Sequence, residues 1–91
     1  MYEEKIKLIP GSKYIVTSLE SRDKPLVTTG IFKNYMMLGE ADAICIELDS
    51  SHKELAGKLR IIPVHMIIAI DIVKPAKEAK KKEEGVERYV G

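Results

Sequence analysis

Three side-chain types in this chain carry chemistry often enough to be examined first: two histidines, one cysteine and the serines beside His52. His52, His65 and Cys45 are the only nitrogen and sulfur ligands of the kind zinc prefers. A zinc site takes about four ligands, three of them protein groups even where catalysis needs an open position. These three residues have no paired spacing, so no metal site is expected. Ser50-Ser51-His52 is contiguous, whereas a nucleophilic triad is assembled across space with an orienting acid and an oxyanion hole. Here the serines and His52 read as solvated loop residues, and His65, just after Pro63, as a polar turn residue. Glu40 and Asp42 flank a turn, where solvation accounts for them. The glycines at 11, 30, 39 and 57 are isolated, so no phosphate-cradling loop is present. The expectation is a chain that is not an enzyme and takes no cofactor.

Lys33-Asn34-Tyr35 is the more informative cluster. A Tyr ring can stack on an unpaired base, an Asn amide can read a base edge, and a Lys can meet a phosphate. Arg60 and His65 would extend that set if they faced the same side. The alternative reading packs Tyr35 on the fold beside Met36 and Met37, since adjacent methionines more often fill a core or an interface.

The elements that must position these residues are β-strands. Ninety-one residues make one domain. The chain is 45% hydrophobic but only 5% aromatic, without Trp, so the core should be aliphatic and rich in Ile. Tyr14 to Leu19 and Leu26 to Phe32 are short β-branched runs around the polar turn Ser21 to Pro25. Gly30 sits inside the second, the mark of a bulge, a bend or a close backbone approach. Ala43 to Asp49 alternates, with Ile44, Ile46 and Leu48 on one face. Ser50 to Gly57 reads as a loop and Lys58 to Ile62 as the next strand. Pro63 to Met66 interrupts it. Ile67 to Val73 resumes, with Ile68, Ile70 and Ile72 as one face. About five strands at roughly 8–12-residue spacing suggest a small barrel or sandwich.

The body should end near Pro75, with residues 1–75 the folded domain and 76–91 a charged tail. That tail is rich in Lys and Glu and has no apolar stripe to dock it, so it is expected to be flexible or an exposed helix. Val86, Tyr89 and Val90 are its last apolar residues. Residues 1–73 hold nine Lys/Arg against ten Asp/Glu, and residues 74–91 hold six against four. A body without excess positive charge weighs against strong nonspecific nucleic-acid binding. The charged opening gives no signal peptide, and no run approaches the ~18 apolar residues of a membrane span. With a single cysteine and no disulfide framework, a cytoplasmic protein away from the membrane is expected.

Thr29-Gly30-Ile31-Phe32-Lys33-Asn34-Tyr35 resembles the bent second strand of Sm-like proteins, with a loop after it that carries RNA contacts. Arg60-Ile61-Ile62-Pro63-Val64-His65-Met66-Ile67-Ile68-Ala69-Ile70-Asp71 resembles their second motif, an apolar strand, a tight turn and a final apolar strand. Lys7 to Tyr14 stands where they carry a short helix. The resemblance covers roughly residues 7 to 73. It implies a five-stranded all-β barrel of the SH3-like or Sm-like kind that joins into a homo-oligomer through its sheet edges. Two departures stand out. Uridine-binding members carry an Asp and then a Met-Asn pair where this chain has Lys33 to Leu38. Their Arg-Gly after the apolar strand is replaced by Ile62-Pro63, with Arg60 displaced.

Two functional readings follow. In the first, the chain is an Sm-like module for single-stranded RNA, with Lys33, Asn34, Tyr35, Arg60 and His65 converging on one rim of each copy. In the second, it is a protein-interaction or assembly module that keeps the barrel without RNA binding, and Met36, Met37 and Met66 form an apolar patch for a protein partner. The missing Asp and Met-Asn favour the second.

Overall fold

The computed structural model describes residues 7–20 and 23–76. The tail read over 76–91, apart from Ala76, and its apolar end therefore lie outside the described residues, as do residues 1–6. Five antiparallel strands form one sheet in the order β4-β3-β2-β1-β5. They are β1 (Lys13–Leu19), β2 (Pro25–Leu38), β3 (Ala41–Leu48), β4 (Leu59–Pro63) and β5 (Ile67–Lys74). Two short 3-10 helices, η1 (Ser50–Leu55) and η2 (Val64–Met66), join β3 to β4 and β4 to β5. The domain is all-β with little helix, as its β-branched runs imply.

One face of this sheet holds the core. In β1 the alternation is strict: Tyr14, Val16 and Ser18 are buried and the residues between them are half-buried. Phe32, Ile44, Ile46, Leu48 and Ile62 complete the buried cluster, with Leu8, Ile67 and Ile70 packed against it. The expected Ile-rich aliphatic core is correct in large part. Yet the chain's one Phe is at its centre, fully buried, with Tyr14 edge-on at 6.3 Å.

Gly30 explains how so few strands wrap a core. It pairs with Tyr14 on one side and Leu48 on the other. A Cβ there would be 2.8 Å from Ile46 Cγ2 and 2.9 Å from the Glu47 carbonyl carbon, with the Glu47 oxygen nearer still. Only a residue without a side chain allows β3 to lie this close across β2. The sheet curls as a result: Arg60 of β4 reaches Thr28 of β2, with β3 between them in the sheet order.

Several elements differ from the sequence reading. β2 runs six residues beyond Phe32, so Lys33, Asn34 and Tyr35 lie in a strand and not in a loop. The turn comes later, at Gly39-Glu40, where Leu38 faces Ala41 and Gly39 adopts φ 63°. Residues 7–12 carry no helix; they make a turn in which Gly11 has φ 92° and its N–H donates to the Phe32 carbonyl. The loop after Leu48 is helical over η1, because Asp49 caps it by accepting from the Ser51 N–H. The face on β5 is Ile67, Ile70 and Ile72, opposite Ser18, Val16 and Tyr14. Ile68 falls at a register shift and leaves that face. On the interior strand β3, four successive residues are buried, among them the lone Cys45, which has Asn34 and Ile61 as neighbours in register.

Candidate interaction surface

The free edges define the surface. β3 donates from its Leu48 N–H to the Lys58 carbonyl. Strand alternation then turns Arg60 and Ile62 toward β3, and Leu59, Ile61 and Pro63 outward. Pro63 thus stands where its missing N–H takes nothing from the β3–β4 ladder, as an edge proline should. The opposite edge, β5, carries register shifts at Ile68 and Val73. Neither β4 nor β5 has a second strand partner.

Between these edges lies an apolar groove of about 370 Å³. β5 contributes Ile67, Ile70 and Ile72, β3 contributes Ile44, and Leu8, Tyr35 and Val64 complete it. The Tyr35 hydroxyl is its polar point. A bulge places that ring: Phe32 pairs with Ile46 but Asn34 pairs with Cys45, so Lys33 is the extra residue. Plain alternation from Phe32 would send Tyr35 to the outer face. The bulge returns it to the core face, 5.0 Å from Phe32 and edge-on to it. Its hydroxyl accepts from the Leu8 N–H at 2.8 Å.

Beyond Phe32, in the β2–β3 ribbon, every residue of β2 is exposed. Tyr35, Met36, Met37 and Leu38 are four successive large apolar residues, each 39–57% exposed. Ile72 is 61% exposed although it sits on the core face. Exposed apolar residues are ordinary singly; here four follow one another, with Tyr35 and Met37 on one face of the strand and Met36 and Leu38 on the other.

The five residues proposed for one rim fall in different places. Lys33 pairs with Glu47 at 3.3 Å. Asn34 is exposed on the strand that continues from the bulge. Tyr35 belongs to the groove. Arg60 donates to Thr28 Oγ1 at 2.8 Å and lines a separate cleft. His65 is exposed on η2. No hydrogen bond, ion pair or shared pocket among the described residues joins these five. Met66 also parts from Met36 and Met37, because it lines the cleft with Arg60.

Among the groups first examined for chemistry, His52 and Ser51 make structural contacts. His52 Nε2 accepts from the Thr29 N–H at 2.9 Å and ties η1 to β2. Asp49 accepts from the Ser51 hydroxyl and pairs with Lys13 at 3.1 Å. The Ser51 bond, then Lys13, hold its carboxyl below the ordinary value. Among the described residues no three His, Cys, Asp or Glu side chains gather as metal ligands. No helix among them is long and apolar enough to cross a membrane. The Asp49-Ser50-Ser51 cap and the Leu38-Gly39-Glu40 turn are signals that could have located η1 and the ribbon in advance.

Comparison with known proteins leaves the surface to speak for itself. No family model, curated protein or solved structure matches the chain.

Proposed function

We propose that this chain is a non-enzymatic assembly module, a small Sm-like or SH3-like barrel that associates with further copies of itself. The observation that carries the reading is the run Tyr35 to Leu38, exposed beside an apolar groove that includes Ile72. Leaving such a surface in water forgoes roughly 25 cal/mol for each Å² that a partner would cover. The strand order supports the barrel, since η2 joins the two edge strands by a single turn and the sheet already curls. Two unpaired edges supply backbone groups for pairing between copies. The single-stranded RNA reading has less behind it. Lys33 is matched by Glu47, and Tyr35 has its ring on Phe32 and its hydroxyl on Leu8.

The test is the mass in solution by light scattering over a range of concentrations, with labelled oligo-U and oligo-A added in a parallel arm. A mass several times 10.2 kDa, reduced toward one copy by Met37→Glu or Ile72→Glu, is the expected result. A single-copy mass that persists at about 100 µM, where an association of useful strength would be populated, overturns it. Base-selective, salt-sensitive binding of either oligonucleotide would restore the RNA reading.

A further inference from the structure

η2 separates the groove from a second cleft of about 240 Å³: Val64 lines the one, Pro63 and Met66 the other. The walls of the cleft are largely apolar, with Leu19 and Leu26 from the β1–β2 hairpin and Ile61 and Ile62 from β4. Two polar side chains interrupt them. Arg60 is half-buried and gives one hydrogen bond, to the fully buried Thr28. The Ser18 hydroxyl is 2% exposed and has no hydrogen-bond partner among the described residues. A guanidinium offers five N–H donors in a planar fork. Within the described residues the ion pairs are Lys13–Asp49 and Lys33–Glu47, and neither Glu20 nor Asp23, next to the cleft in sequence, reaches Arg60. A half-buried cation with one hydrogen bond and no ion pair, and a buried hydroxyl with no bond, among the described residues are incompletely compensated for desolvation, which is tolerable where a ligand supplies the missing acceptor.

We propose that this cleft binds the carboxylate of an apolar acid. Arg60 takes the carboxylate through its fork, Ser18 donates to an oxygen, and Leu19, Leu26, Ile61 and Met66 receive the hydrocarbon portion. One cation and no second one among the lining residues match a monoanion better than a phosphate dianion. The chemistry is shared by free short-chain acids and by the C-terminal carboxylate of a peptide ending in an apolar residue. It shares no lining residue with the apolar groove and does not depend on the run Tyr35 to Leu38, although Ile61 and Pro63 stand on the β4 edge.

Amide NMR titration of the full chain decides the matter, with four probes: hexanoate, hexanamide, acetyl-Gly-Leu with a free carboxylate, and its carboxamide. The expected result is saturable shifts around Ser18, Leu26, Ile61 and Met66 with the acids and none with the amides. Arg60→Gln should weaken acid binding at least about tenfold, since it removes a charge-assisted fork, and Ser18→Ala should weaken it less. Tighter binding of the peptide acid than of hexanoate assigns a peptide terminus, and equal binding assigns a free acid. Equal shifts with acid and amide, or no saturable shift with either, overturn the proposal. Should Arg60→Gln fail to fold, the acid–amide comparison on the unaltered chain still decides.

Discussion

Replacing Gly30 with Ala should destabilise this domain more than any other single methyl added to a glycine. The new Cβ would meet Ile46 Cγ2 at 2.8 Å and the Glu47 carbonyl carbon at 2.9 Å, inside the ~3.5–4.0 Å of ordinary carbon contact. Ile46 could turn aside, but Glu47 is backbone in β3, which is paired on both sides. Relief therefore requires β2 and β3 to separate at the point where the sheet curls. Overpacking of a well-filled site costs ~1–3 kcal/mol and more where the neighbour cannot shift, so about 3 kcal/mol is expected. Gly39→Ala is the control. There a Cβ meets nothing within 4 Å, but φ is +63°, and left-handed backbone costs an L-residue ~1–2 kcal/mol. Urea denaturation at one fixed protein concentration reads both. With an m-value of ~1.5 kcal/mol/M, the Gly30 variant should lose about 2 M of midpoint and the Gly39 variant about 0.7–1.3 M. Equal losses, or a Gly30→Ala loss under ~1 kcal/mol, would refute the idea that close approach, and not backbone freedom, selects glycine at 30.

Other perturbations probe single contacts. Tyr35→Phe keeps the ring on Phe32 but removes the acceptor for the Leu8 N–H; it should cost about 1 kcal/mol or less and speed hydrogen exchange at Leu8 without altering exchange in β3. Phe32→Ala empties the centre of the core and should cost ~3–5 kcal/mol, measured by the same denaturation. Asp49 has its carboxyl lowered below the ordinary 3.8 in the folded state, first by Ser51 and then by Lys13. Its contribution is therefore complete above that value and is lost as pH falls through the folded-state value. Asp49→Asn should flatten the acid limb of a stability–pH profile below pH 3.8, and an unchanged limb would show that the Ser51 and Lys13 contacts do not act on the carboxylate.

Strand number and most strand positions were legible in the residues, because β-branched runs with polar turns between them leave few alternatives. The bulges were not. A period of 2 predicts Ile68, Ile70 and Ile72 on one face, and one inserted residue replaces Ile68 with Ile67. The same device at Lys33 moves Tyr35 from an outer position into the groove. Neither residue carries a local mark that says it is surplus, since a bulge is settled by what the partner strand can match. The ribbon beyond Phe32 escaped for another reason: Lys33 to Leu38 has no alternation of apolar and polar residues, and every one of these residues is exposed. At the surface the individual residue types were easy to single out, but their grouping depends on which strands the curl brings together. Arg60 sits beside Ser18 and Leu26, far from it in sequence, only because β4 wraps toward β2.

The position of Cys45 makes the molecule its own clock. It is the chain's one thiol, 4% exposed, in the strand with a neighbour on each side. At that exposure an alkylating reagent reaches it only when the structure around β3 opens, so the labelling rate counts openings there, separation of β2 or β4 from β3 among them. In a mixture of single copies and assemblies, each would carry its own tempo. Contacts that fasten β4 would slow the reaction at a sulfur they never touch, and contacts confined to β5 would leave it running at the rate of the lone chain.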